Sequence, residues 1–368
     1  MASTTIWSHP GTGTPCLLRQ PVQLLALRGP DTLRFLHGQS SQDLAQAPPG
    51  AWRSTCCITP TARMRALAEV LVEEGGALLV IRAGEGLAVR QALDRVLFPA
   101  DAVELGPLQE GVWLEPVGMA ATEATAAAAE AAGGWRPEPG GGWWLGAALV
   151  QPAGAPLPAA FVGLPELDPW QVEFRRLRLG LPAAPGEIND ATNPFEIGLA
   201  DRVSLSKGCY VGQETLARLA TYDGVKRQLR RWHAPVAAAA DPDLAPPAPG
   251  TPLRTAAGER AGEISSCLEL PDRSGWVGLA LVRRAALAEI QLWSGTAADG
   301  AAPGDGIGGD GASGSPEAAE TAGHGLEGAN AACAPSGWRF DLSLPELFQE
   351  PPVGAGGQGA AAGSARPS

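Results

Sequence analysis

Residues 204–218 read SLSKGCYVGQETLAR and concentrate side chains that are rare elsewhere in the chain. The 368-residue sequence has two lysines, Lys207 and Lys226, and two tyrosines, Tyr210 and Tyr222, all between positions 207 and 226. Lysine is a compact point charge, whereas arginine is a planar fork. A chain that otherwise uses arginine is therefore expected to retain lysine here for a specific contact, and we expect the molecule to be organised around this stretch.

The same stretch predicts a thiol placed before a helix. Residues 212–219 predict a short helix, with Glu214 in its first turn, where the helix dipole favours an anion. Cys209 then lies just before the helix and two positions after Lys207, and both features favour the thiolate. Cys209 is thus either a reactive thiol or a small buried cysteine in a glycine-flanked tight turn, and the pattern leaves both interpretations open.

The string KGCYVGQE, from Lys207 to Glu214, resembles the signature of the YgfZ/GcvT-like folate-binding family. That family includes iron–sulfur cluster assembly factors and is related to glycine-cleavage aminomethyltransferases. The resemblance covers roughly residues 20–293, with gaps around 115–160. It implies an α+β fold, with a ring-like arrangement of two α+β (ferredoxin-like) units and a small C-terminal β-barrel, as in aminomethyltransferases.

The resemblance also implies a set of site residues. Cys209 and Lys207 would form the central catalytic pair. Tetrahydrofolate, or another reduced folate, would lie in a cavity between the domains. The candidate cofactor-binding residues come from the central motif, the N-terminal motif and the segment that leads into the central motif: Gln39, Asp43, Trp170, Glu196, Tyr210, Gln213, Glu214 and Lys226.

Composition divides the chain into a folded body and low-complexity segments. Residues 1–19 are expected to form a loose arm, and 20–234 a composite folate-binding region of two interleaved units. The expected β-barrel comprises 235–293 and 337–347. The Gly-, Ala- and Pro-rich segments at 294–336 and 348–368 are expected to be disordered, because they cannot bury enough apolar surface.

Charge and cysteine spacing restrict the partners. The net charge of −12 argues against nucleic-acid binding through a generally basic surface. A local basic stretch at 226–231 is either a solvated strand edge or a receiver of an anion, such as a folate glutamate tail or an RNA phosphate. None of the six cysteines forms a Cys-x-x-Cys pair, so no metal site is expected. The sequence lacks signal-peptide and membrane-span patterns, and we expect a cytoplasmic monomer.

Three functions remain in competition. The resemblance implies an accessory factor that serves the iron–sulfur assembly machinery or its client enzymes. The alternatives are a tetrahydrofolate-dependent aminomethyl or one-carbon transferase, and a factor linked to tRNA modification. The amine-transferring branch carries paired aspartates, whereas this chain has no Asp-Asp pair. That branch also has an acidic residue just before its Ala-Gly-Leu, and the matching residue here is Arg178. The sequence therefore favours the accessory factor over the enzyme.

Overall fold

The structure is a computed structural model that describes residues 6–7, 15–118, 134–239, 244–295 and 337–354. Most of the insert expected at 294–336 and the part of the expected tail after 354 lie outside the described residues. The described α-helices are α1 (Thr32–Gln39), α2 (Gly86–Val96), α3 (Pro169–Leu179) and α4 (Gln213–Thr221). The described strands are β1 (Cys16–Arg28), β2 (Trp52–Ile58), β3 (Met64–Glu73), β4 (Gly76–Gly84), β5 (Glu104–Val117), β6 (Trp135–Pro137), β7 (Trp143–Leu145), β8 (Ala148–Pro152), β9 (Arg227–Pro235), β10 (Pro252–Arg254), β11 (Arg260–Glu269), β12 (Gly275–Arg283), β13 (Gln291–Trp293) and β14 (Arg339–Ser343).

The first eight strands form one antiparallel sheet in the order β2-β3-β4-β1-β5-β8-β7-β6. Successive side chains of a strand point to opposite faces. On β3 and β4, Val70 and Leu79 accordingly face the core under α1 and α2, whereas Leu71 and Val80 face the opposite layer. Both faces of this half of the sheet are therefore buried, which explains why β3 and β4 are apolar almost throughout.

The last six strands close a barrel in the order β10-β11-β12-β9-β14-β13. Its interior is filled by large side chains, and Trp232 meets Phe340 edge to face at 5.1 Å between ring centroids. In chain order the barrel begins with β9 at Arg227–Pro235, upstream of the boundary expected at 235.

Helix α3 has clear start and stop signals. The side chain of Asp168 accepts a hydrogen bond from the backbone N–H of Gln171, whose side chain accepts one from the Asp168 N–H, and Pro169 occupies the first turn. Gly180 ends the helix at φ +75°, a left-handed conformation that glycine adopts without a steric cost.

One apolar cluster joins the sheet, two helices and the barrel. Leu177 of α3 and Leu216 of α4 pack in it with Met64 of β3 and Leu279 of β12. Full burial of such side chains stabilises the fold by about 1.5–3 kcal/mol each. The α+β class and the C-terminal barrel predicted from the sequence are confirmed. None of the described helices is long and apolar enough to span a membrane.

Candidate functional site

The central motif forms a loop that leads into α4. Gly212 is the N-cap at φ +77°, and a Cβ there would lie 2.9 Å from the Thr59 carbonyl oxygen, so this position requires glycine. The helix begins at Gln213, close to the predicted start. Cys209 is exposed in the loop before it. The structure therefore presents the thiol to solvent rather than burying it in a tight turn.

Lys207 is buried, with 5% exposure, and holds this loop against the end of α1. Its Nζ donates hydrogen bonds to the backbone carbonyls of His37 at 2.5 Å, Ser40 at 2.7 Å and Gln42 at 2.8 Å. An ammonium group has three donors, and all three are used. A cation is also favourable beside the carbonyls at a helix C-terminus. Lys207 thus acts in this structure as a clamp between two segments far apart in sequence.

Burial lowers the pKa of Lys207 to about 8, although Asp43 opposes that shift. The Nζ also lies 4.3 Å from the ring centroid of Tyr210, a cation–π distance. Tyr210 is 5% exposed, and burial raises its pKa to about 12. Its hydroxyl is buried without a hydrogen-bond partner among the described residues. The clamp and the tyrosine therefore form one buried unit beneath the exposed Cys209.

The other residues of the two motifs have different environments. Gln213 donates from Nε2 to the Lys207 carbonyl at 3.3 Å, whereas Glu214 is exposed and pairs with Arg218 at 2.6 Å. Asp43 is exposed and lies 3.3 Å from Nδ1 of His37. Gln39 lines a cavity of about 180 Å³ together with Ile58, Pro60, Arg65, Val96 and Val211. Gln39 and Gln213 thus both lie beside the loop that carries the thiol.

The predicted contacts outside the motifs lie elsewhere. Trp170 donates from Nε1 to the Glu269 carbonyl at 2.8 Å, on the barrel side of α3. Glu196 is buried and forms an ion pair with Arg227 at 3.1 Å. Lys226 is exposed. The structure therefore does not bring all of the predicted site residues into one pocket.

The basic stretch at 226–231 is largely engaged in internal contacts. Arg227 pairs with Glu196, and Arg231 donates to the Arg178 carbonyl at 3.0 Å and lies 3.4 Å from Glu346. The guanidinium of Arg230 donates to the Leu229 carbonyl at 2.9 Å. The contacts of Arg227 and Arg231 join β9 to neighbouring segments, which is a structural use of their charge.

An aromatic site, which the sequence did not predict, lies on α3. We define it by Trp7, Trp170, Phe174 and Arg231, of which Phe174 and Arg231 contact the indole of Trp7. Phe174 stacks on Trp170 at 4.9 Å and on Trp7 at 5.6 Å, and the Arg231 guanidinium lies 4.9 Å from the Trp7 ring. Trp7 is 3% exposed, so the expectation of a loose arm is wrong at this residue. The four-residue spacing of Trp170 and Phe174 on a helix is the sequence signal that could have placed these two rings side by side.

A pocket of about 540 Å³, which the sequence did not predict either, lies between α3, residues 183–192 and β11. Arg176 borders it and donates to Glu173 at 2.7 Å, to Glu187 at 3.0 Å and to the Ser266 hydroxyl at 2.8 Å. Glu187 is fully buried and also accepts from the Ser266 hydroxyl at 2.7 Å. The pocket has the size of small-molecule sites, and its wall is fixed by this network.

A further set of charges lies on the face of the sheet opposite α1 and α2. The Arg82 guanidinium stacks 3.5 Å above the Trp113 ring, and burial lowers the pKa of Arg82. Trp113 donates to Glu115 at 3.2 Å, and Glu115 pairs with Arg175 of α3 at 2.6 Å. This network ties α3 to the sheet. Alternation along β4 and β5 is the sequence signal that could have placed Arg82 and Trp113 on this face.

Comparison with known proteins gives a fold and one distant relative. No family model matches the sequence. The chain is 26% identical over 298 residues to the Arabidopsis thaliana protein named "Putative transferase At1g60990, chloroplastic". The alignment covers 71% of this chain and 63% of that protein, so the chain spans less than two thirds of the relative.

The fold is similar to the crystal structure of the glycine cleavage system aminomethyltransferase T from Bartonella henselae. The TM-score is 0.58 at 19% identity, and the match covers 77% of this chain and 82% of that one. The chain therefore has an aminomethyltransferase-like fold, an α+β body with a C-terminal barrel.

Proposed function

We propose that the protein binds a reduced folate and acts as an accessory factor in iron–sulfur cluster assembly or repair, with Cys209 as its functional thiol. The observation that carries this proposal is the geometry of the central loop. Lys207 is committed to three backbone carbonyls, and Gly212 fixes the turn into α4. The exposed Cys209 is thereby held on a rigid support, where it is accessible to a macromolecule or to a cluster.

The fit to a folate rests on the aromatic site. A pterin is a planar bicyclic ring, and the site already accommodates the planar bicyclic indole of Trp7. Phe174, on which Trp7 stacks, would supply the stacking face, and Arg231 would supply a cation. A bound reduced folate would supply one-carbon carrying capacity, which the side chains of the protein lack.

The second candidate is a folate-dependent transferase, and the name of the Arabidopsis relative, a putative transferase, favours it. Against it stands Arg178, where the amine-transferring branch has an acid. The Arg178 Nε lies 3.5 Å from Glu346, so this position holds a paired cation rather than a carboxylate. We therefore expect that the purified protein does not speed the formation of methylene-tetrahydrofolate from tetrahydrofolate and an aminomethyl donor above the rate measured without protein. A rate well above that uncatalysed rate would favour the transferase.

The third candidate, a factor linked to tRNA modification, has the weakest support. Of the four cations in 226–231, Arg227 and Arg231 pair with carboxylates of the same chain, which leaves less charge for RNA phosphates. Binding of tRNA that weakens on Lys226→Ala would revive this candidate.

Complementation tests the proposed function in cells. In cells that lack their native factor, this chain should restore the activity of iron–sulfur enzymes, and Cys209→Ser should remove most of that rescue without changing the amount of folded protein. Cys267→Ser is the matched control, because Cys267 is half-buried in the barrel. Full rescue by Cys209→Ser would exclude a thiol function. A fluorescent fusion in the same cells would test the proposed cytoplasmic location.

A further inference from the structure

The cavity of about 180 Å³ that Gln39 lines lies beside the loop that carries Cys209 and has mainly apolar walls. Those walls come from β2, α2 and the loop, and they include Ile58, Val89, Leu93, Val96 and Val211. Val96 is 39% exposed, so the apolar lining reaches the surface of the molecule. An apolar cavity of about 150 Å³ holds a benzene ring, whereas small-molecule sites usually have about 300–1,000 Å³. The size of this cavity therefore fits one large apolar side chain.

Two arginines that line the same cavity have no carboxylate partner. Arg65 of β3 and Arg95 of α2 form neither a side-chain hydrogen bond nor an ion pair with any residue that the structure describes. By contrast, Arg218 of α4 pairs with Glu214 at 2.6 Å. None of the described residues that line the cavity is acidic. In a chain with a net charge of −12, the mouth of this cavity is therefore a local cationic surface that is complementary to an acidic partner.

The cavity is held at a fixed place relative to the thiol. The backbone N–H of Val211 donates to the Gly38 carbonyl at 2.9 Å, and Val211 lines the cavity. Cys209 is two residues earlier, so its Cα lies within about 7 Å of the Val211 Cα. On the other side of Cys209, Lys207 fastens the loop to the end of α1. A segment anchored in the cavity would therefore have its neighbouring residues close to the Cys209 sulfur.

We propose that this cavity is the docking point for a protein partner of Cys209, and that the partner inserts one leucine or phenylalanine side chain that is flanked by acidic residues. This inference rests on the proposed function of Cys209 and adds the chemistry by which its partner is recognised. The apolar side chain fills the cavity and excludes water, as anchor residues of interfaces do. Arg65 and Arg95 pair with the flanking carboxylates, which orients the segment toward the thiol.

The test is disulfide exchange between the full chain and synthetic peptides. The probe is the peptide Asp-Leu-Glu-Gly-Gly-Cys, with its cysteine activated as a 2-thiopyridyl disulfide. The Cys209 thiolate attacks the peptide sulfur, a mixed disulfide forms, and the released pyridine-2-thione gives the rate by its absorbance. The rate measured with Cys209→Ser is subtracted. The probe should react about tenfold faster than a peptide with serine in place of the leucine, which lacks the apolar anchor. A peptide with lysines in place of both acids should also react more slowly than the probe.

Variants of the cavity separate docking from the reactivity of the thiol itself. Ala92→Phe fills the cavity from α2, and Arg95→Gln removes an exposed charge. Both should abolish most of the advantage of the probe, and Arg95→Gln keeps the test open if Ala92→Phe does not fold. Arg218→Gln is the matched control, because it removes a cation that is already paired. Iodoacetamide, which needs no docking, should label Cys209 at the same rate in all of these proteins.

Three results would overturn the proposal. The first is equal rates for all three peptides, and the second is an advantage of the probe that survives both Ala92→Phe and Arg95→Gln. The third is another occupant: a dimer that Ala92→Phe dissociates would assign the cavity to a second copy, and faster exchange after deletion of residues 296–336 would assign it to the acidic insert of this chain. In each case only this inference fails, whereas full rescue of cells by Cys209→Ser would contradict the proposed function itself.

Discussion

Lys207 and Lys226 are the only lysines of the chain, and they have opposite environments. Lys207→Met keeps the length of the side chain but leaves three carbonyls without a donor. We expect a loss on the order of 2–4 kcal/mol in the free energy of unfolding, since each buried unpaired group costs about 1–3 kcal/mol. Lys226→Met, on the surface, should cost less than about 0.5 kcal/mol. Equal urea midpoints for the two variants at pH 7 would mean that the clamp does not exist.

Tyr210 gives a prediction for alkaline pH. Burial raises its pKa in the folded state to about 12, from an ordinary value of 10.0. Between these values the unfolded chain has released the proton and the folded chain has kept it, so stability falls as pH rises from 10 to 12. Tyr210→Phe should reduce this fall, and because it removes an unpaired buried hydroxyl it should not destabilise the protein at pH 7. Tyr222 is exposed, so Tyr222→Phe should change neither the alkaline fall in stability nor the stability at pH 7. If Tyr210→Phe leaves the pH dependence of stability unaltered, that result would contradict the burial of Tyr210.

The cysteines should differ in their reactivity. Cys209 is exposed, whereas burial raises the pKa of both Cys56 and Cys57 to about 12. Since the thiolate is the reacting form, iodoacetamide at neutral pH should label Cys209 and leave Cys56 and Cys57 unlabelled in the folded protein. Peptide mass spectrometry measures the labelled fraction of each cysteine, and the Cys209→Ser variant serves as the control that lacks the Cys209 thiol. Labelling of Cys56 as fast as Cys209 would show that the sheet opens or that the loop is protected.

At the scale of elements, a buried ion pair joins Arg176 of α3 to Glu187 in the segment that follows it, and both side chains form hydrogen bonds with the Ser266 hydroxyl of β11. Glu187→Gln should destabilise the protein by about 3 kcal/mol, because it leaves the Arg176 charge less compensated away from water. Glu214→Gln removes a pair on the surface of α4 and should cost less than about 1 kcal/mol. Thermal denaturation of both variants compares them directly. Similar melting temperatures would show that the pocket wall is not fixed by this network.

Local signals predicted several elements and could not place the contacts between them. The apolar run of β3, Met64–Glu73, and the glycine turn that follows it are a local signal that predicts a strand from the sequence alone. The start of α3 follows from Asp168 and Pro169. The carbonyl partners of Lys207 lie 165–170 residues away in the sequence, and no local pattern encodes such a contact. The motif thus singled out Lys207, and only the fold shows that its side chain is a clamp.

At the scale of the whole molecule, α3 contacts the aromatic site, the 540 Å³ pocket and the sheet. Trp170 and Phe174 carry the aromatic site, Arg176 borders the 540 Å³ pocket, and Arg175 pairs with the sheet. The aminomethyltransferase-like fold thus brings the sheet and the barrel onto one helix. A ligand bound here would contact several parts of the fold at once, and its binding should raise the stability of the whole chain.

Calorimetric titration of the full chain with tetrahydrofolate tests the central claim most directly. We predict saturable binding, with a stabilisation of about 2.7 kcal/mol at a hundredfold excess over the dissociation constant. Phe174→Ala should weaken binding at least tenfold, because it removes the stacking face on which Trp7 lies, and such a face is worth about 1–3 kcal/mol. Absence of heat and of any thermal shift with tetrahydrofolate at about millimolar concentration would contradict folate binding, since a ligand must exceed its dissociation constant to stabilise the fold.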